Sequence, residues 1–167
     1  MDVLDRLLAH DAWTTRQVLD RARELSADEL EENLGIGPGG VRPTLDHVIW
    51  NMEAWRDALE GQPLRERPAG DDALSLDCLS ARLAAAETAL ASTARRIRDE
   101  GRADEPWTDP RTGKRTEVTL GGVLAHVVTH GMHHRAQVFY MLRRHGLTAL
   151  PEGDVLSWEE HFRSGDA

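Results

Sequence analysis

Apolar residues recur along most of this chain at the three- and four-residue steps of an α-helix. Over residues 2–24 they fall at Leu4, Leu7, Leu8, Val18 and Ala22, with Leu25 just beyond. Residues 74–100 carry the most regular pattern. There Leu76, Leu79, Leu83, Ala86, Leu90, Thr93 and Ile97 alternate steps of three and four, as in the seam of a coiled-coil-like bundle. Ser26-Ala27-Asp28-Glu29 matches a capping box and predicts a short helical turn. The stretch 35–43, GIGPGGVRP, reads as a loop, with Thr44 as the N-cap of a helix running to about 60 and closed by Gly61. Residues 61–72 are polar, contain two prolines and read as a surface connection. Gly101 stops the long helix. Residues 102–118 read as extended or looped, with a turn or small hairpin around Thr112-Gly113. Thr119 opens a helix to about His145, closed by Gly146, and Pro151 and Gly153 precede a last short helix over about 154–162. Four main helices of about 17 to 27 residues, without convincing strands, predict an all-α four-helix bundle with short extra helices. One domain over residues 1–167 is expected.

Composition narrows the function classes. A chain of 167 residues buries roughly 70% of its unfolded surface and needs no disulfide for stability. Its 20 basic and 29 acidic residues leave a net charge of −9, which argues against duplex nucleic acid as a partner. The single cysteine, Cys78, allows no intrachain disulfide and suits a reducing compartment; it opens the 74–100 seam and reads as a packed core thiol. There is no apolar run of about 18 residues and no basic, cleavable leader at the N-terminus. The expectation is a soluble cytoplasmic protein with no membrane partner. Trp13 lies opposite the Leu4–Leu8 stripe, which suits an exposed or interface position.

The chemistry concentrates in the histidines. Of eight, four lie between residues 126 and 134. At about 100° per residue, with His130 at zero, His134 falls near +40°, His126 near −40° and His133 near −60°. Val123, Val127, Gln137 and Met141 share that arc, so the histidines are expected on the apolar, core-facing stripe. Buried imidazoles need partners, and a metal would serve. His130 and His134 are spaced i,i+4 and can chelate one ion, but so can His126 and His130. This is the histidine spacing of H-E-x-x-H, yet residue 131 is Gly where that motif carries its general base, so a zincin protease is rejected. A third ligand has to come from another helix. His47 is the best candidate, lying on a face with Asn51, Ala54 and Ala58 that is flanked by Trp50 and Trp55 and suits a crevice. Three imidazoles would hold Zn²⁺ or Ni²⁺ and leave a coordination position open. His10, His145 and His161 read as surface residues.

The segment HVVTHGMHHRAQVFYMLRRHGL resembles the H-x-x-x-H-R-x-Q signature of the DinB/YfiT-like family, here at His130, His134, Arg135 and Gln137. TLDHVIWNMEAWRDALEG resembles that family's second-helix stretch, with its histidine at position 47, and the opening HDAWTTRQVLDRARELSADEL and closing GDVLSWEEHF fit its ends. Ala136 stands where much of the family has Gly. The resemblance implies a metal site of His47, His130 and His134, and so selects His134 over His126. His126 is then an outer partner or core residue, and His133 faces a cleft or partner. It also implies a four-helix-bundle metalloprotein, often a homodimer. Its best-characterised members are similar to thiol transferases using bacillithiol or mycothiol, with some isomerases and hydrolases. The family name refers to induction by DNA damage and implies no DNA binding.

These readings meet in a divalent-metal-dependent enzyme acting on a small-molecule substrate, with a low-molecular-weight thiol as cosubstrate or water as nucleophile. The alternative is a non-catalytic metal- or small-ligand-binding protein of the stress response. The blandest reading is a metal-free bundle with buried histidines. Asp11 is a catalytic candidate, in line with Leu4, Leu8, Thr15 and Val18 on the first helix's apolar stripe. It would orient a ligand histidine or act as a base, or else cap or pair with an arginine such as Arg135. Asn51 and Gln137 are further polar candidates for the crevice.

Overall fold

The computed structural model of the protein describes residues 1–70, 72–110 and 113–164. Local chemistry sets most helix starts. Asp2 accepts the Asp5 N–H at 2.9 Å, and the Asp5 side chain returns to the Asp2 N–H, so a capping box opens α1 (Val3–Ala22). Ser26 and Glu29 form the expected box for α2 (Ala27–Glu31). Ser75 and Thr119 cap α4 (Leu76–Asp99) and α5 (Leu120–Arg144) by accepting N–H groups of Cys78 and Gly122. α6 spans Val155–Ser164.

The start of α3 (Val41–Leu59) differs from expectation. Val41, Arg42 and Pro43 are helical and Gly40 is the N-cap. Pro43 is tolerated because a first-turn residue has no intrahelical acceptor for its N–H and proline's φ is already helical. Thr44 is therefore inside the helix, and its hydroxyl donates to the Gly40 carbonyl at 2.6 Å. The 102–118 region holds an antiparallel hairpin of β1 (Pro106–Asp109) and β2 (Lys114–Thr119), with Thr108 opposite Arg115 and a register irregularity between Pro106 and Thr108. Gly113, at φ 64°, donates to the Asp109 carbonyl at 2.8 Å; Thr112, the other residue expected at the turn, lies outside the described residues.

The four long helices form the bundle, with α3 and α1 each packed against both α4 and α5, and α6 laid on α1. The α4 seam is buried at Leu79, Leu83, Ala86, Leu90, Thr93 and Ile97, while Leu76 is half-buried. Cys78 is half-buried and not a core thiol. Trp107 of β1 anchors the hairpin on α3: its indole N–H donates to the Ala58 carbonyl at 3.4 Å and its ring is 5.7 Å from that of Trp55. The polar connection after α3 is tied back by ion pairs. Arg67 and Arg65 reach Asp46 at 3.0 Å and Asp57 at 2.6 Å, and Arg82 of α4 bridges Asp46 and Glu53. Among the described residues, no helix is long and apolar enough to cross a membrane.

Three positions read as surface are covered. His10 is 3% exposed, its ring facing the Gly153 carbonyl at 2.9 Å, with Trp158 of α6 at its edge. Since a carbonyl only accepts, the His10 Nε2 is the donor. His145 has a side chain only 6% exposed, and His161 is half-buried against Trp13. The same α6 contact half-buries Trp13. The residues that cover them arrive from distant chain, so no local pattern announces it.

Asp11 and Arg135, each 2% exposed, form a buried ion pair between α1 and α5; the guanidinium also reaches the Thr15 hydroxyl at 3.3 Å. A Cβ at Gly131 would lie 2.9 Å from both Arg135 Nη1 and Asp11 Oδ1. Gly131 is thus the seat in α5 that lets the pair close. Removing one partner strands a buried charge, so Arg135→Ala should lower the unfolding free energy by about 3–5 kcal/mol in urea denaturation. Gly131→Ala should destabilise as well, despite alanine's better helix propensity, because its methyl intrudes on the pair.

At the bundle's end Arg95 and Arg98 hold the Asp5 carboxyl down to about 2 from the ordinary 3.8. A carboxyl depressed in the folded state contributes stability above pH 3.8 that is lost as pH falls towards 2. The stability gap between wild type and Asp5→Asn should therefore close over that window when urea midpoints are compared across pH.

Candidate metal centre

α3 and α5 lie side by side and bring His47 against His130 and His134. His130 and His134 are one helical turn apart, so α5 alone fixes their pairing; His47 depends on how α3 docks. The His130 Nε2 is 3.1 Å from His134 Nε2 and 3.3 Å from His47 Nε2. One nitrogen from each of the three residues falls within 4.8 Å of the others. Two ligands at 2.0–2.1 Å on a tetrahedral ion are about 3.3–3.4 Å apart, so these separations match one ion shared by the three rings.

Neighbouring amides orient the rings. His134 Nδ1–H donates to Gln137 Oε1 at 2.8 Å, which leaves Nε2 with a free lone pair aimed at the trio. The Gln137 amide nitrogen also lies 3.0 Å from His133 Nε2. Asn51 Nδ2 donates to the His47 carbonyl at 2.8 Å and lies 3.1 Å from that residue's Nε2. The loop before α3 crosses above Gln137: Gly37 has φ 54°, and any side chain there would overlap the Gln137 amide. Electrostatics favour neutral imidazoles. Burial, with the surrounding imidazoles, pushes His130 down to about 4, and burial also lowers His47 and His134. Neutral nitrogen donors in this number suit a borderline divalent ion such as Zn²⁺ or Ni²⁺.

His126 and His133 are exposed, contrary to the expected core-facing arc. The buried mid-helix residues Val127, Gly131 and Val138 fall at about +60° to +100° on the same wheel. The core is thus centred to one side of His130. The trio's two α5 members occupy its shoulder, half-buried, and His126 and His133 lie on the solvent side as a rim. His126 packs at 5.3 Å from both the Trp55 and His130 rings, and His133 at 5.1 Å from His134. The carboxylate of Asp11 is taken by Arg135, the pairing reading, and its backbone carbonyl accepts the Thr15 hydroxyl at 2.7 Å.

Sequence reasoning did not find Trp107. It stands alone among polar residues, but its burial alternates along β1 with that of its neighbours, and it closes a cleft beside Asn51 with Trp50 and Trp55. Nor does the sequence mark out Gly37 within the GIGPGG loop; its role shows only in the close approach of Gln137.

The family described as the DinB family matches this sequence over residues 1–160. A relative in Bacillus subtilis (strain 168), named Protein DinB, is 22% identical over 156 residues, an alignment covering 90% of each chain. The match runs through all four long helices and both ends of the histidine trio, and the chain belongs to the DinB family.

Proposed function

We propose that this chain is a divalent-metal-dependent enzyme of the thiol S-transferase or hydrolase type, with His47, His130 and His134 holding zinc or nickel. The observation that carries the reading is the convergence of three Nε2 atoms at the spacing of a shared ion. Bound there, a divalent ion would supply the Lewis acidity that deprotonates a coordinating thiol or brings a bound water's pKa towards neutrality. The chain's own residues prepare the site. Gln137 fixes the His134 tautomer, Asn51 steadies His47, and burial keeps the rings neutral and able to ligate. His126 and His133 border the approach from solvent, where an incoming thiol or water would enter. Asp11 holds Arg135, and through it the rotation of α5, which makes it a positioning residue one step removed from the chemistry.

Protein purified untagged and without chelators should carry about one equivalent of metal by elemental mass spectrometry, and His130→Ala should carry almost none. No metal in the wild type, even after reconstitution with Zn²⁺ or Ni²⁺, would sink the reading. In a screen of bacillithiol, mycothiol and glutathione against electrophiles, turnover should vanish in His47→Ala; metal without turnover would favour a binding protein instead.

Gln137→Ala should retain the fold but weaken metal affinity about 10–100-fold, since it removes the partner that fixes a ligand's tautomer. Competition with a chromogenic chelator measures it, and an unchanged affinity would remove Gln137 from the site.

A further inference from the structure

A cleft of about 170 Å³ opens between α3 and the hairpin, next to the histidine trio. Trp50, Trp55 and Trp107 line it, along with Ala54 and Ala58, whose small side chains leave the space. Asn51 belongs to both places: it lines the cleft and contacts His47. The rings of Trp107, Trp55, His126 and His130 follow one another at 5.7, 5.3 and 5.3 Å, so His126 links the cleft's tryptophan wall to the trio. None of the three histidines lines it, so its shape does not depend on them.

We propose that this cleft is a specificity subsite that receives a compact aromatic group on the electrophilic substrate. The inference rests on the metal-enzyme reading for the word substrate, but not for the cleft. Size points to one ring: an apolar cavity of about 150 Å³ holds benzene. A sugar-bearing thiol is too large and too polar for it. Indole walls favour a flat π-system through offset and edge-to-face contact. The ring would thus anchor in the cleft while the reacting atom lies at the Asn51 end, beside His47.

Benzyl alcohol serves as the probe, with cyclohexylmethanol as its aliphatic counterpart. Titrations are followed by tryptophan fluorescence and by ligand-observed NMR, on wild-type protein with and without added Zn²⁺. Benzyl alcohol should bind saturably in both metal states, and several-fold more tightly than cyclohexylmethanol. Ala54→Leu fills the cleft and should weaken binding about tenfold or more. Trp55→Leu removes a wall and should weaken it too, which covers the case that the leucine variant misfolds; circular dichroism checks each. Absence of saturable binding, equal binding of the two alcohols, or unchanged binding in both folded variants would overturn the inference. Metal content of the same samples separates the two readings. Metal retained without probe binding overturns the subsite alone. Probe binding in a protein that takes up no metal sustains the aromatic cleft and overturns the metal-enzyme reading.

Discussion

The buried contact between Asp11 and Arg135 is the constraint on which the site's geometry depends. Arg135 follows His134 directly, so whatever fixes the guanidinium also fixes the rotation of α5 at the histidines. A buried guanidinium cannot be left without a counter-charge, and Asp11 supplies it from α1. The pair closes only because residue 131 is Gly. The position where a zincin would carry its general base is thus used for helix packing. One residue choice removes a protease-like base and makes room for the clamp.

With α5 held in that rotation, the histidines fall on the shoulder of the buried stripe. That is a compromise between two requirements. Ring nitrogens buried in the core would be neutral but unreachable; fully exposed ones would be hydrated and mobile. At the shoulder they are desolvated enough for His130 to be pushed down to about 4, yet a rim of exposed His126 and His133 leaves an approach. Gln137 then sets the orientation of the His134 ring, and the Asn51 amide lies against the His47 ring at 3.1 Å. Arginines from α4 and from the connection after α3 pair with the α3 carboxylates Asp46, Glu53 and Asp57 and hold α3 in place.

Much of the local design was legible. The α4 seam, the Ser26–Glu29 capping box and the glycine stops follow from short-range physics, and each appears where its residues predict. The i,i+4 pairing of His130 and His134 is likewise a property of one helix. His47 was legible as a candidate from its small-residue face, but choosing among the histidines needed the family resemblance. The errors have a shared cause. His10 and Trp13 are covered by α6 and His145 lies near Glu32 at the end of α2, all far away in sequence, and the neighbouring helices centre the core to one side of the histidine arc.

By itself, then, the sequence determined where most helices begin and end, that they bundle, and that one helix carries two histidines at chelating spacing. These depend on contacts three or four residues apart. Only the tertiary structure decided how closely His47 meets that pair, which faces are open, why residue 131 is Gly, and that Trp107 closes an aromatic cleft beside Asn51. Each of those depends on the docking of two elements tens of residues apart, and no periodicity within either element encodes the rotation at which they meet.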